Sequence, residues 1–265
     1  MKISPIKNIS PQYTTKILKG TALIEETTLL FAHWDINQSI EENLTNIRDS
    51  NVFGKASRSR IDDTLNIIKQ RYLTDSDVIF ALQYLVSQGC NKSTLNPIFY
   101  YFSLKNDPVL LDTVTVILKE FLSIHKYDIK TSDLFPYFDL WTKEKKIQRE
   151  WSENTRIRVA RNILTTLRDF GILKGGTKKE ISSLYLPNEA FSFIALSQLK
   201  CGESGYALLK SLIWRIFFLE TGVVERFFIE CQQDQLLRYD AAGDIIRVTF
   251  PTKTLSEFVH VILKR

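Results

Sequence analysis

The sequence predicts a mainly α-helical protein with two small β-hairpins. Over most of the 265 residues, apolar side chains recur at steps of three and four, the spacing of amphipathic helices. Hydrophobic residues make up 44% of the chain, while Gly (10) and Pro (7) are sparse, which favours packed helices over disorder. Two pairs of short β-type segments flank Gly175-Gly176 and Gly243. We therefore expect three regions: residues 1–107, 108–187 and 188–265.

The first region, 1–107, is predicted to be an N-terminal helical bundle. Residues 1–20 have the composition of an extended arm that ends at Gly20, and helical periodicity begins near Ala22. Asp75 or Ser76 can cap one helix, which Gly89 would end. The predicted helices cover residues 22–34, 38–49, 57–72, 76–88 and 91–103.

The central region, 108–187, has the element order of a winged helix-turn-helix. Pro108 fits the first turn of a helix, and Ile129 is predicted as a lone strand residue. The predicted helices cover residues 109–123, 131–141 and 152–170. Gly171 then introduces a hairpin whose two short strands end before Pro187. In a winged helix-turn-helix the helix before such a hairpin is the recognition helix, which lies in the DNA major groove.

The C-terminal region, 188–265, is predicted to be helical with a second hairpin. The segment around Asp240-Ala-Ala-Gly-Asp predicts that hairpin, between strands 236–239 and 245–250. Helices followed by a hairpin also allow a second winged-helix-like unit, but the charge is balanced here, so we expect packing rather than DNA binding. The predicted helices cover residues 189–199, 206–220, 223–235 and 254–263.

Positive charge is concentrated in one segment of the chain. Residues 141–180 hold eleven Lys or Arg and five Asp or Glu, a net charge of +6, whereas the whole chain carries +5. The rest of the protein is therefore close to neutral. A localised basic surface on a near-neutral body is typical of a protein that binds a polyanion such as nucleic acid.

The predicted helix 152–170 separates apolar from polar side chains. Arg and Asn side chains pair with guanine and adenine edges, and Thr favours phosphates. Arg156 lies toward the apolar side, but in the first turn, from where it can reach solvent. The predicted core face holds Ile157, Ala160, Ile163, Leu164, Leu167 and Phe170. The predicted DNA-binding face holds Asn154, Arg158, Arg161, Asn162 and Thr165.

Taken alone, this helix is better explained as an ordinary amphipathic helix whose charged face is solvated. The basic residues around it favour the DNA hypothesis, because the linker before it and the hairpin behind it extend the same charge. The candidate contacts from the linker and the hairpin are Lys145, Lys146, Arg149, Lys174, Lys178 and Lys179.

A second basic cluster lies at residues 54–60, Gly-Lys-Ala-Ser-Arg-Ser-Arg, in or before the first turn of a predicted helix. Backbone N–H groups, hydroxyls and guanidinium groups together can bind phosphate there. The alternative is a surface turn with a Ser cap. The segment is not a P-loop, because Asp49 stands where the first Gly belongs and Ala56 follows the Lys. The candidate contacts are Lys55, Ser57, Arg58 and Arg60.

Catalytic and cofactor patterns are weak, so we expect a non-enzymatic protein without cofactor, metal or small-molecule substrate. No CxxC is present, and Cys90, Cys201 and Cys231 are scattered, which predicts three buried, inert thiols in a reducing cytoplasm. The most apolar run, 208–219, is too short to cross a bilayer and is interrupted by Lys210 and Arg215, so we expect no membrane association.

Several segments resemble the BrxA family, whose members are encoded in bacteriophage-exclusion (BREX) defence operons. The resemblance rests most on the sequence Asn-Val-Phe-Gly-Lys-Ala-Ser-Arg-Ser-Arg at 51–60, preceded by Lys19-Gly20 and residues 23–34. Residues 167–173, Leu-Arg-Asp-Phe-Gly-Ile-Leu, also match, as does the later Leu186-Pro187. Further matches are Ile213-Trp214-Arg215 and Gly243-Asp244. The resemblance covers nearly the whole chain and implies a non-enzymatic DNA-binding component of phage defence.

Two hypotheses for function follow. The first is a double-stranded DNA-binding module in anti-phage defence, with an RNA-binding helical module as a variant. The second is an assembly adaptor, whose basic face would bind acidic surfaces of other BREX proteins.

Overall fold

The computed structural model describes residues 12–182, 184–243 and 245–264. Residues 1–11 of the predicted arm and Asp244 of the Gly243-Asp244 motif lie outside these ranges. The mainly α-helical fold with small antiparallel hairpins is confirmed. Within the described ranges, no helix combines the length and the apolar character that crossing a bilayer requires.

The N-terminal helices follow their predicted positions closely, and all but the first begin after a capping side chain, including the predicted cap at Asp75. Ser39 forms a capping box with Glu42. The side chains of Ser57, Asp75 and Asn91 each accept a backbone N–H in the first turn of the helix that follows. The helices are α1 (Ile24–Ala32), α2 (Ile40–Asp49), α3 (Arg58–Tyr72), α4 (Ser76–Ser87) and α5 (Lys92–Lys105).

The central region begins with one helical run that contains a π-helical turn. Asp107 caps its start, and its carboxylate accepts the N–H groups of Val109 and Leu110. A 3-10 turn at Thr131–Leu134 precedes the second helix. The elements are α6 (Pro108–Asp112), the π turn (Thr113–Leu118), α7 (Lys119–Ser123), β1 (Asp128–Ile129), α8 (Phe135–Lys143), α9 (Glu153–Asp169), β2 (Leu173–Lys174) and β3 (Lys179–Ile181).

The hairpin of the central region belongs to a three-stranded antiparallel sheet with strand order β1-β3-β2. Leu173 pairs with Ile181 across the hairpin, and Ile129 pairs with Lys179 on the other side of β3. The prediction of a strand residue at Ile129 is therefore confirmed, and the strand has a partner. This third strand ties the segment before α8 to the hairpin behind α9.

The C-terminal region differs from the prediction at residues 206–220, which do not form one helix. Ser211 is extended (ψ 135°), and its hydroxyl accepts the N–H of Ile213, so a new 3-10 turn begins there. Phe218 then adopts a left-handed conformation (φ 57°). The elements are α10 (Asn188–Lys200), α11 (Gly205–Leu209), a 3-10 helix (Leu212–Phe217), α12 (Thr221–Gln233), β4 (Arg238–Ala242), β5 (Ile245–Thr249) and α13 (Leu255–Leu263).

Helix α5 lies where the three regions meet, and its aromatic residues are buried as predicted. The Tyr100 hydroxyl donates to the carbonyl of Ile216, 2.9 Å away, and the Tyr100 ring lies 5.5 Å from the rings of both Phe170 and Phe217. Since Phe170 follows α9 directly, these contacts fix the C-terminal end of α9 to the core.

Helix α4 is tied to the far end of the chain through Asp77. Its carboxylate accepts the backbone N–H groups of Leu255 (2.8 Å) and Ser256 (2.9 Å) at the start of α13, and it pairs with Lys200. Burial alone would raise the pKa of Asp77, but the hydrogen bonds from Lys200 and Ser256 outweigh it and lower the pKa to about 2. The carboxylate therefore stays charged and acts as a cap on α13.

The three cysteines do not share one environment. Cys231 is buried and Cys90 is half-buried, but Cys201 is exposed, so the prediction of three buried thiols is wrong for that residue. Cys201 follows the last turn of α10, and its sulfur lies 3.2 Å from the Lys105 ammonium. This position at a helix end leaves it open to solvent.

Candidate nucleic-acid interface

Helix α9 is the longest element of the basic segment, and its two ends are well defined. The Ser152 hydroxyl accepts the N–H of Thr155 at the start. At the other end Gly171 has a φ of 88°, which favours glycine and turns the chain into β2. The helix is therefore held between a cap and the hairpin.

The buried side of α9 is wide, and it differs from the prediction at one position. Ala160, Ile163, Leu164, Leu167 and Phe170 are buried as expected. Ile157, however, is only half-buried, and Val159 takes a core position instead. The buried stripe is rotated by part of a turn, which leaves Ile157 at its edge.

The opposite side of α9 carries the exposed cationic stripe, which we define as Asn154, Arg158, Arg161, Thr165 and Arg168. These residues follow one another at steps of four, three, four and three, so they share one face of the helix. All are exposed except Thr165, which is half-buried. Within the described ranges, Arg158 and Arg161 form no ion pair or hydrogen bond, and both guanidinium groups face solvent. At Arg158 and Arg161 the stripe therefore offers positive charge that no acid among the described residues neutralises.

Arg168 was missed as a candidate contact. It pairs with the adjacent Asp169, with 2.7 Å between the guanidinium nitrogen and the carboxylate oxygen, and it remains exposed. The spacing of seven residues from Arg161, two helical turns, is the sequence signal that places it on the same stripe.

Asn162 lies beside the stripe rather than on it. Its amide donates to the carbonyl of Ile17, 3.0 Å away, in a 3-10 turn that packs along α9. The same N-terminal segment is held at Tyr13, whose N–H donates to the carbonyl of Lys146 (2.8 Å) and whose hydroxyl donates to Asp112. The amide of Asn162 is thus engaged within the protein.

Arg156 is half-buried, and its guanidinium is engaged within the protein. Its guanidinium donates to the carbonyl of Phe135 (3.0 Å) and forms an ion pair with Asp139 (2.8 Å), while lying 5.1 Å from the Phe135 ring. Because Phe135 and Asp139 belong to α8, this side chain fixes the angle between α8 and α9. Its role is to orient the stripe.

The three hairpin lysines have different surroundings. Lys174 is exposed and pairs with Glu180 on the neighbouring strand, 2.9 Å away. Lys178, at the tip, is exposed and has no ion pair in the described part of the chain. Lys179 is only 9% exposed, and its ammonium donates to the carbonyl of Gly176 (3.0 Å).

The linker between α8 and α9 is partly neutralised. The Lys146 ammonium pairs with Glu144 (3.1 Å) and Asp112 (3.3 Å). Burial would lower the pKa of Lys146, but the hydrogen bond that its ammonium donates to Glu144 and the charge of Asp112 raise it overall. Lys145 and Arg149 are exposed and have no ion pair among the described residues.

The second basic cluster, at residues 54–60, is largely compensated. The Lys55 ammonium lies 2.5 Å from the carboxylate of Glu26, and Arg58 pairs with Asp49 at 3.1 Å. The Ser57 hydroxyl accepts the N–H of Arg60 as the cap of α3. Of the four candidate contacts here, only Arg60 is exposed and lacks a partner in the described ranges.

In the described part of the chain, no group of three His, Cys, Asp or Glu side chains is arranged to hold a metal ion.

Comparisons with known proteins identify the fold and the family. The fold resembles a crystal structure of an uncharacterized protein from Magnetospirillum magneticum, with a TM-score of 0.61 and 14% sequence identity, over 78% of this chain and 98% of that chain. At that identity the likeness concerns the fold alone. No curated protein matches the sequence. The BrxA family model matches residues 11–198, well over half of the chain. The protein is a member of the BrxA family, and thus of the BREX phage-defence systems.

Proposed function

We propose that this BrxA-family protein binds double-stranded DNA through α9 and the β2–β3 hairpin, as a non-enzymatic component of BREX defence in the cytoplasm. The observation that carries the proposal is the exposed cationic stripe, where Arg158 and Arg161 have no acidic partner among the described residues. Phosphate oxygens can supply the partners that the protein does not.

The arrangement of the central region supports this proposal. The helices of residues 108–169 precede a hairpin, and β1 joins that hairpin as the outer strand next to β3. We propose that this unit is a winged helix-turn-helix, with α8 and α9 as its helix pair and α9 as the recognition helix. The hairpin would then be the wing, and its exposed Lys178 would contact the DNA backbone.

The composition of the stripe favours weak sequence preference. Arg158 and Arg161 can contact either phosphates or guanine edges, whereas Asn162, which could recognise adenine, is hydrogen-bonded to Ile17. Backbone contacts carry no sequence information of their own. We therefore expect binding to be governed by electrostatics.

A mobility-shift titration with duplex DNA, single-stranded DNA and RNA, repeated over a salt series, tests the proposal. If about five phosphates are contacted, the logarithm of the duplex affinity should fall against the logarithm of salt concentration with a slope of about −4 to −5. No binding at low salt, or binding insensitive to salt, contradicts the proposal. A clear preference for RNA would support the RNA-binding alternative.

We also propose that the chain has no nuclease, ATPase or methyltransferase activity of its own. The sequence has no phosphate-binding loop and no recognised catalytic motif. Turnover by the purified protein that disappears with a single point substitution would disprove this.

A further inference from the structure

Lys179 is a buried lysine without an acidic partner. Its side chain is 9% exposed, and within the described ranges its ammonium forms one hydrogen bond, to the Gly176 carbonyl, and no ion pair. An ammonium group has three N–H donors, so two remain without an acceptor in the protein. Lysine is almost never buried unless it is paired. The site therefore lacks a partner for a buried charge.

The neighbours of Lys179 add positive charge instead. Burial lowers the pKa of Lys179, and the charges of Arg168 and Arg161 lower it further. Asp169 acts in the opposite direction, but its carboxylate is already bound by Arg168. The charges of two arginines of α9 and one acid therefore act on Lys179 of the hairpin, and the acid is already paired. Repulsion between these positive charges costs free energy unless an anion binds among them.

We propose that Lys179, Arg161 and Arg168 form a binding pocket for a single phosphate, which is filled by one backbone phosphate of the bound DNA. This inference rests on the proposed function and names one point of contact within it. Thr165 lies between the two arginines on the stripe, half-buried, and its hydroxyl can add a fourth donor. The phosphate would supply the acceptors that Lys179 lacks.

The hairpin tip is shaped to hold the lysine in place before DNA arrives. Gly175 has a φ of 93°, and a Cβ on it would lie 2.3 Å from the carbonyl oxygen of Lys178, so only glycine fits this turn. The turn brings the Gly176 carbonyl within 3.0 Å of the Lys179 ammonium. The Lys179 ammonium is therefore held in position before binding, which reduces the entropy lost on binding.

Replacement of Lys179 by Met tests the pocket, and Lys174→Met is the matched control on the same hairpin. Lys174 is exposed and already paired with Glu180. We expect Lys179→Met to weaken duplex binding about tenfold and to make the salt slope shallower by about 1. The control should lose less than about threefold. Unchanged affinity and slope in Lys179→Met would overturn the inference.

Thermal stability separates a binding role from a structural role. Because the charges of Arg161 and Arg168 disfavour a cation at Lys179, its removal should leave the melting temperature in chloride buffer unchanged or higher. A clear fall in melting temperature with full DNA affinity would mean that the ammonium only supports the hairpin, and would overturn the inference. Should Lys179→Met not fold, Arg161→Gln tests the same pocket from an exposed position, with the same loss of affinity expected.

Inorganic phosphate probes the pocket without DNA. At matched ionic strength, phosphate should raise the melting temperature of the wild-type protein more than chloride does, and Lys179→Met should lose this difference. An equal phosphate effect in both proteins counts against the pocket. Failure of wild-type protein to bind duplex DNA would refute the proposed function, whereas the phosphate experiment would still report on the pocket separately.

Discussion

The two basic regions of this protein look alike in sequence and differ in structure. In the turn at residues 54–60, Lys55 and Arg58 are paired with Glu26 and Asp49. On the exposed stripe of α9, Arg158 and Arg161 have no such partners in the described ranges. The positive charge that a ligand can use is therefore the formal charge of a segment minus the part that acids of the folded protein neutralise.

The cause lies in the distribution of acids. No Asp or Glu occurs between Glu153 and Asp169, so α9 cannot neutralise its own stripe except at its two ends. The turn before α3, by contrast, packs beside α1 and α2, which present Glu26 and Asp49 to it. Four predictions test this comparison.

The largest expected effect follows charge reversal on the stripe. Arg158→Glu with Arg161→Glu should weaken duplex binding by more than about 100-fold, since two attractions to phosphate become repulsions. Both positions are exposed, so the free energy of unfolding should change by less than about 0.5 kcal/mol. Mobility shift and thermal melting measure the two quantities.

The matched charge reversal at the turn of residues 54–60 is Arg58→Glu with Arg60→Glu. We expect duplex affinity to fall by less than about tenfold, because Arg58 is already paired. If this second variant were the one to abolish binding, the interface would lie at the N-terminal turn.

Arg156→Met should destabilise the protein by about 1–3 kcal/mol, because the Phe135 carbonyl and Asp139 lose their donor. It should also weaken DNA binding indirectly by loosening α9 against α8. Denaturant unfolding measures the first effect, with Arg158→Met on the same helix as the control that should melt normally. Equal stability of the two variants would show that Arg156 does not fix the helix pair.

Ser57→Ala should cost about 1 kcal/mol of stability, because the cap of α3 loses its acceptor for the Arg60 N–H. Duplex affinity should stay the same, since the hydroxyl is engaged in the cap. Loss of affinity at unchanged stability would instead assign Ser57 to phosphate binding.

The smallest effect is expected from Glu26→Gln, which frees Lys55. Duplex affinity at low salt should rise by at most about threefold, with a stability loss of about 0.5–1 kcal/mol. Titration below 50 mM salt is the appropriate condition, because screening hides small gains. A larger gain would show that the N-terminal turn lies within reach of the DNA.

The helices could be predicted from sequence where local signals were strong. The predicted helix starts near Ser57, Asp75 and Ser152 are correct, because capping is decided within four residues. The prediction of one helix over residues 206–220 is wrong. The apolar spacing there suits a helix, but tertiary contacts favour a break at Ser211. There Trp214 turns its indole N–H to the carbonyl of Leu208, 2.7 Å away.

The basic residues of the candidate site could be named from the sequence. Which of them are exposed and free of acidic partners could not. The sequence places Lys146 and Lys179 in the basic segment, yet it contains no sign that the former pairs with Asp112 or that the latter is buried beside Arg168. Both facts depend on contacts between distant segments. The winged helix-turn-helix and its DNA contacts stay predictions.

The bonds between Asp77 and the start of α13 have a consequence for the synthesis of this protein. Helix α4 packs against a helix whose first residue, Leu255, emerges 178 positions after Asp77. At a translation rate of about 5–20 residues per second, that delay is roughly 9–36 s. During this interval α4 can pack against α1, which is already synthesised, but the surface of α4 that contacts α13 lacks its native partner. Nascent chains therefore expose this part of α4 until synthesis is nearly finished, and a loss of the last dozen codons would leave it exposed permanently.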